Sequence, residues 1–322
     1  MLQMRYENNS DRKHAYQIFG CGKIDLVIEM GLGATAGEWW HIAELFSSEY
    51  TVLLYERNRK IAVDRTPQNI AKELYQLLKQ LDCAEKITLL AHSQGGLYAQ
   101  QFARLYPHMV TGILLIDPLS ANDNKYKTLL TPEEQKKSGF DKTGNLVLMS
   151  RLAKLPLGFF IKAVMKKAPP FYYYPHFSAD ASDYILSSLT KSDLYTAALE
   201  EYRLAHEEKL VGPLKEKTDF PDVPLVLITH TREFSVREMI EFGHTSEKLA
   251  MKAEDIWQSL IKEYLAFSNK TKYLQAKNSG HYIHLTEPDL IDDGLLWIGR
   301  CTKDASHEAD ERFQPNTASS LE

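Results

Sequence analysis

Short apolar runs alternate with longer amphipathic runs over the first third of the chain. The apolar runs have the length of a strand, are rich in β-branched residues and are bounded by Gly, Pro or Asp, which predicts buried strands. The predicted strands cover residues 15–19, 25–30, 51–55, 86–91 and 112–116. Strands that alternate with helices in this way are typical of a doubly wound, mostly parallel α/β sheet.

One amphipathic run predicts its helix in detail, over residues 66–81. Thr66 can cap the helix and Pro67 suits its first position. Apolar residues then recur at the spacing of a single helix face, at Ile70, Leu74, Leu77 and Leu78. We expect this helix to pack on the sheet.

The pattern changes after Asp117 and Pro118. About a hundred residues, 119–222, are rich in Lys, Tyr and helical periodicity and lack buried-strand runs, until 224–229 resumes the sheet. This predicts a mainly helical cap inserted into the core.

The predicted core is therefore made of two pieces, residues 1–118 and 223–301. Its second piece carries a helix over 255–267, a strand over 272–276 and a helix over 288–299. The polar residues 302–322 predict a flexible tail.

Composition narrows the class of protein. The 322 residues are 44% hydrophobic and 25% charged, which is typical of a globular protein with a large core. A net charge of −5 argues against nucleic-acid binding, which needs a strongly basic face. The three cysteines are widely spaced and fit neither a disulfide framework nor a metal site.

The chain is expected in the cytoplasm. The expectation rests on two features of the sequence: it does not start with an apolar leader, and it has no stretch of the roughly 20 apolar residues that span a bilayer.

A strand, a tight turn and a helix surround Ser93. The sequence around it is A-x-S-x-G, and the small residues Ala91 and Gly95 suit a turn too tight for larger side chains. Such a turn lifts the hydroxyl above the sheet edge at a helix N-terminus, which favours a developing oxyanion. Ser93 is therefore predicted to be a nucleophile.

A serine hydroxyl needs a histidine base. His281 follows Gly280 on the loop between the strand predicted at 272–276 and the final helix, at the strand's carboxyl end. We therefore predict His281 to be the base. His284 would face elsewhere and is interpreted as structural, and His92 as packed beside the nucleophile.

These stretches resemble the α/β-hydrolase superfamily from about residue 15 to 299. The resemblance rests on the Ser93 turn, on the segment 280–288 (GHYIHLTEP), on 29–33 followed by Trp39 and Trp40, and on 55–57. It implies an α/β-hydrolase fold with a helical cap and serine-hydrolase activity.

The resemblance also implies an oxyanion hole and an acid. The backbone N–H groups of Leu32 and Gln94 would form the hole; the family's first loop often reads His-Gly where this chain has Met-Gly, which leaves the backbone role intact. The family places the acid after either of two strands, which gives Asp117 or Glu233. Asp117 is preferred because the proline after it defines a short loop.

The predicted reaction is attack of Ser93 on an acyl carbon, with His281 moving the proton and water releasing the acyl group. This is a carboxylesterase-like hydrolysis of a small, apolar acyl substrate that needs no cofactor and no metal. Tyr172, Tyr173 and Phe177 are candidate substrate-binding residues, although aromatic side chains of this kind also serve in packing.

The segment 151–167 carries five basic residues and no acidic one. Such a segment suits contact with an anionic membrane surface or an anionic substrate. The interpretation we favour here is an ordinary cap helix whose lysine stems cover an apolar mouth.

Two other functions stay open at this point. The loop 31–37 (GLGATAG) and Glu56 suit an NAD(P)-dependent oxidoreductase, but that function leaves Ser93 and His281 unexplained. A slow-turnover ligand sensor would keep the hydrolase fold and signal through its cap, and the sequence does not separate this from an enzyme.

Overall fold

The computed structural model describes residues 4–9, 12–60, 64–139 and 141–312. Eight strands form one sheet in the order β1-β2-β4-β3-β5-β6-β7-β8, antiparallel from β1 to β4 and parallel beyond. The strands are β1 (Arg5–Asn9), β2 (Arg12–Phe19), β3 (Ile24–Glu29), β4 (Val52–Glu56), β5 (Cys83–His92), β6 (Val110–Ile116), β7 (Leu225–Thr229) and β8 (Thr271–Gln275). The predicted α/β-hydrolase fold is confirmed.

Three helices lie between the strands of the first half, and α2 agrees closely with its prediction. Thr66 Oγ1 accepts a hydrogen bond from the backbone N–H of Asn69 at 3.3 Å and so caps α2. The three helices are α1 (Ala36–Phe46), α2 (Pro67–Gln80) and α3 (Gly95–Leu105).

A mainly helical segment connects β6 to β7, where the inserted cap was expected at 119–222. Its regular structure begins with a 3-10 turn at Asp123 and ends with another at Lys215. Its helices are α4 (Tyr126–Leu129), α5 (Pro132–Ser138), α6 (Thr143–Leu152), α7 (Gly158–Met165), α8 (Ala179–Ser188), α9 (Ser192–Leu204) and α10 (Glu208–Val211). We call these the inserted helices.

Four helices follow β7, and two of them differ from the sequence prediction. They are α11 (Arg232–Glu241), α12 (Glu247–Ile261), α13 (Ile283–Thr286) and α14 (Asp289–Arg312). The helix expected at 255–267 begins earlier, as α12, and ends in a 3-10 helix. α14 continues past residue 301, so the first part of the expected tail is helical. Polar composition does not prevent a sequence from forming a helix. Residues 313–322 lie outside the described residues.

Each face of the sheet carries its own hydrophobic core. Successive residues of β6, Ile113 and Leu114, lie in opposite clusters because side chains alternate along a strand. α2, α3 and the 3-10 helix after α12 cover one face, whereas α1 and α14 cover the other. None of the helices in the described ranges is long and apolar enough to span a membrane.

The carboxyl ends of the parallel strands meet at one edge of the sheet, where ligands bind in such folds. β3 leads there into the loop at Met30–Leu32, β5 into Ser93, β6 into Asp117, β7 into His230 and β8 into the loop that carries His281. The topology thus collects side chains that are far apart in the sequence.

Candidate active site

Ser93 occupies a strained turn between β5 and α3. Its φ of +53° lies in the left-handed region, where a residue other than glycine costs energy. A Cβ on Gly95 would lie 2.8 Å from the Met30 carbonyl oxygen and closer still to that of Glu29. The turn therefore requires glycine there, and Ser93 is presented to the cavity at the start of α3.

His281 and Asp117 form a close pair. His281 Nδ1 lies 2.5 Å from Asp117 Oδ2, and the carboxylate is buried. Burial alone would raise the pKa of Asp117, but the charge of His230 and the hydrogen bonds from both histidines outweigh it and hold that pKa below its usual value. Asp117 is therefore ionised and fixes the orientation of the His281 ring, with Nε2 on the side away from the carboxylate.

Ser93 and His281 line one cavity of about 360 Å³. Within the described part of the chain, no hydrogen bond joins the Ser93 hydroxyl to the His281 ring, and such contacts often tighten only when substrate binds. The cavity is lined by Leu32, Ser93, Gln94, Asp117, Pro118, Leu119, Asp123, Lys142, Pro169, Tyr202, His230, Ser235, Glu238, Met239, Glu254, Trp257, His281 and Tyr282.

The alternative acid, Glu233, is not near this pair. It lies in the first turn of α11 with its side chain exposed, and it does not line the cavity. The structure thus brings Asp117, and not Glu233, to His281. The first residue after β7 is His230, which is not an acid.

His230 contacts the other side of Asp117, and sequence reasoning missed it. Its Nδ1 lies 2.7 Å from Asp117 Oδ1 and its Nε2 lies 2.9 Å from Glu254 Oε1. Burial opposes protonation, but the two carboxylates outweigh it and raise the pKa of His230 to about 10. A protonated imidazole thus bridges two buried carboxylates. The only signal in the sequence was a histidine at the end of a buried strand.

Leu32 and Gln94, the expected oxyanion donors, both line the cavity beside Ser93. The loop that carries Leu32 comes close to the turn, because a Cβ on Gly31 would lie 3.1 Å from Ser93 Cβ. Arg57 Nη2 donates to the Gly31 carbonyl at 2.8 Å. In a planar trans peptide the next N–H points opposite to the carbonyl, so Arg57 directs the Leu32 N–H away from itself.

Arg57 is itself held from two sides. Its guanidinium contacts Glu29 Oε1 at 2.7 Å and Glu201 Oε2 at 3.0 Å. Glu29 also accepts a short hydrogen bond from the Tyr55 hydroxyl. Because Glu201 belongs to α9, an inserted helix is linked directly to the loop beside Ser93.

The neighbouring histidines have packing roles. His92 is buried and donates through Nε2 to the His281 carbonyl at 3.0 Å. Burial, together with His281, lowers the pKa of His92 to about 3, so its ring is neutral. His284 is buried and stacks on Trp39 with ring centres 3.9 Å apart. His92 thus supports the backbone of His281.

The three aromatic residues expected to bind substrate do not line the cavity. Phe177 packs against Phe171 and Tyr174, and Tyr172 is half exposed beside Phe242. Tyr173 stacks on Tyr282 with ring centres 5.9 Å apart. Since Tyr282 lines the cavity, Tyr173 contacts a lining residue without lining the cavity itself. These aromatic residues thus contact other aromatic rings of the inserted helices and their neighbours.

The cavity lining is more polar than the expected apolar pocket. Lys142 lines the cavity, although the residue as a whole is exposed. Its acidic neighbour Asp123 pairs with His206 at 2.8 Å. No ion pair within 4.0 Å involves Lys142 among the residues that the structure describes.

The glycine-rich loop does not have the form of a dinucleotide site. At the start of α1 the backbone N–H of Thr35 donates to Glu38 at 3.0 Å, and that of Ala36 donates to Glu56 at 2.9 Å. A Cβ on Gly37 would lie 2.8 Å from Ile185 of α8. The amides that would hold a pyrophosphate are thus occupied and covered, which argues against the oxidoreductase alternative.

Comparison with known proteins identifies the family of this chain. Residues 31–293 match the model of the Alpha/beta hydrolase family. The chain is 22% identical over 299 residues to the uncharacterized protein YqjL of Bacillus subtilis, covering 91% of this chain and 90% of that protein.

Two solved structures are similar in fold. One is a putative epoxide hydrolase from Pseudomonas aeruginosa, with a TM-score of 0.67 and 14% identity, covering 94% of this chain and 97% of that one. The other is Est816, described as an N-acyl homoserine lactone degrading enzyme, with a TM-score of 0.58 and 15% identity, covering 90% and 98%. Because the family model spans most of the chain, this protein belongs to the alpha/beta hydrolase family.

Proposed function

We propose that this protein is a serine hydrolase that cleaves a carboxylic ester or a related acyl compound. The observation that carries the proposal is the placement of Ser93 in its strained turn on the same cavity as the His281–Asp117 pair. A hydroxyl, a histidine and a buried carboxylate in this order form a nucleophile, its base and the group that orients the base.

In the proposed reaction, His281 Nε2 takes the proton of the Ser93 hydroxyl as the oxygen attacks the acyl carbon. The N–H groups of Leu32 and Gln94 hold the oxyanion that develops on the acyl oxygen. His281 then gives its proton to the leaving alcohol, and water attacks the acyl-enzyme by the same route in reverse. Asp117 stabilises the imidazolium formed in each step.

Ser93 also favours an acyl substrate over an epoxide. An epoxide is the substrate named for one of the similar structures, the putative epoxide hydrolase. A serine that opened an epoxide would be left as an ether, which water does not cleave under mild conditions. The same serine on an acyl carbon forms an ester, which water can hydrolyse. The lactone-degrading activity named for Est816 belongs to this acyl class.

Lys142 adds an expectation about the substrate. A cationic group that lines the cavity and has no ion-pair partner among the described residues can pair with an anion, so we expect substrates that carry a carboxylate or similar group away from the acyl carbon. Lys142→Met should raise KM for a hemisuccinate ester and leave KM for the matching neutral ester unchanged. An equal change for both esters would contradict this role.

Labelling with a fluorophosphonate tests whether the serine is activated. We expect the purified protein to form one adduct, which peptide mass spectrometry places on Ser93. Ser93→Ala should lose it, whereas the control Ser235→Ala, a serine that also lines the cavity, should keep it. Labelling that persists in folded Ser93→Ala would overturn the assignment.

The sensor alternative makes a different kinetic prediction. An enzyme should turn over an ester many times without a partner, whereas a sensor would complete about one slow turnover per molecule. Measuring the amount of product against the amount of protein separates the two.

A further inference from the structure

The inserted helix α7 turns its apolar side to solvent. Phe159, Phe160 and Val164 are 83%, 68% and 63% exposed, whereas Ile161 on the opposite side is buried against the protein. An ordinary surface helix buries its apolar stripe and exposes polar residues. The structure therefore differs from the expected arrangement, in which the apolar residues cover the cavity mouth, and α7 does not line the cavity.

These exposed residues form one continuous face. At 100° per residue, positions 159, 160, 163, 164 and 167 of a helix lie side by side. Lys166 and Lys167, which follow the last residue of α7, are also exposed. We call Phe159, Phe160, Val164, Lys166 and Lys167 the α7 face.

The segment that contains the α7 face carries charge of one sign. The segment 151–167 contains five basic residues and no acidic one, although the whole chain has a net charge of −5. Lys162, on the inward side, donates to Ser187 Oγ at 3.2 Å. Two acidic residues of α8, Asp180 and Asp183, line a groove together with Lys162, and this groove does not include the phenylalanines.

A second copy of the chain is a poor match for this face. A symmetric dimer through the α7 face would bring the lysines of both copies into one interface, and like charges at an interface cost energy. An anionic lipid surface instead offers negative headgroups to the lysines and an acyl layer to the phenylalanines, which is how amphipathic helices lie in a membrane interface.

We propose that the α7 face docks this protein on the surface of anionic phospholipid bilayers. The phenylalanines enter the boundary between headgroups and acyl chains, and Lys166 and Lys167 contact phosphate groups. This docking is independent of the proposed hydrolysis, because neither the face nor its test involves Ser93.

Cosedimentation with vesicles tests the electrostatic part. We expect the protein to sediment with vesicles of phosphatidylcholine and phosphatidylglycerol, and to stay in solution with phosphatidylcholine alone. Replacing Lys166 and Lys167 by Gln should weaken the partition coefficient roughly 25-fold, since each basic residue near the surface contributes a factor of about 5. Failure of the unmodified protein to bind the mixed vesicles would overturn the proposal.

A matched pair of variants tests the apolar part. Phe159→Ser with Phe160→Ser should abolish sedimentation, whereas Leu45→Ser, which removes an apolar residue 54% exposed on α1, should leave it unchanged. All three side chains are exposed, so the fold should survive, which circular dichroism checks. Equal loss in the Leu45 control would contradict the proposal. So would a lipid-free dimer, seen by sedimentation velocity, that the double variant dissociates.

Discussion

Asp117 is the carboxylate that contacts the ring of His281, whereas Glu233 is exposed on α11. Asp117→Asn should therefore lower kcat by roughly 10³ to 10⁴, because the amide favours the wrong tautomer of the histidine. Glu233→Gln is the matched control and should leave kcat unchanged. Ester hydrolysis measured at saturating substrate checks both, and a large loss in the Glu233 variant alone would reverse the assignment.

His230 gives the protein a specific dependence of stability on pH. Its pKa is raised from about 6.5 in the unfolded chain to about 10 in the folded one, so its contribution is complete below pH 6.5 and is lost as the pH rises toward 10. The free energy of unfolding, measured with urea, should fall over this range. In His230→Asn this part of the slope should vanish, and parallel pH profiles for the two proteins would contradict the assignment.

Ser93 and His281 could be proposed from the sequence because each has a local signature, a tight turn with small neighbours and a glycine-flanked loop after a strand, and the structure places both on one cavity. The sequence could not identify His230. The contacts of His230 join the ends of β6 and β7 to α12, and no spacing along the chain records that these ends meet. The sequence narrowed the acid to two candidates, Asp117 and Glu233. Only the geometry shows which of them contacts His281.

At the scale of elements, Arg57 connects β4, the Gly31 loop and α9. Arg57→Lys keeps the charge but cannot hold the Met30 and Gly31 carbonyls together with Glu201. In Arg57→Lys the Leu32 N–H is less firmly directed at the oxyanion, so we expect kcat to fall about 10- to 100-fold. This fall is smaller than the one caused by removing a whole oxyanion donor. KM should change little.

Arg59→Lys is the control for this prediction, because Arg59 pairs with Glu56 at 2.8 Å and does not contact the Gly31 loop. Steady-state kinetics on one ester give both constants. An equal fall in kcat for the two variants would show that the loop does not depend on Arg57 in particular.

Burial explains why the central strands could be predicted, although the partly buried edge strand β8 was also predicted, at 272–276. The central strands β3 to β7 were found because burial on both faces makes them continuous apolar runs. The edge strand β1, with the polar sequence RYENN, gave no such signal. The same reasoning assigned residues after 301 to a tail, because polar composition alone does not separate a helix from a flexible end.

At the scale of the whole molecule, stability depends on the cores on both faces of the sheet. α14 offers a matched pair for this, because Leu295 is 2% exposed and its neighbour Leu296 is 45% exposed. Leu295→Ala should lower the free energy of unfolding by about 2–5 kcal/mol, through lost burial and the cavity left behind. Leu296→Ala should change it far less, and equal effects in urea unfolding would contradict this packing.

The central claim is that Ser93 forms an acyl-enzyme, and one measurement addresses it directly. The protein is mixed with an activated ester such as p-nitrophenyl butyrate, quenched in acid within the first turnover and analysed by intact-protein and peptide mass spectrometry. The account predicts a butyryl group on Ser93 that decays as product accumulates, and no adduct in Ser93→Ala. Catalytic turnover with no acyl group on Ser93, or turnover that survives in Ser93→Ala, would contradict it.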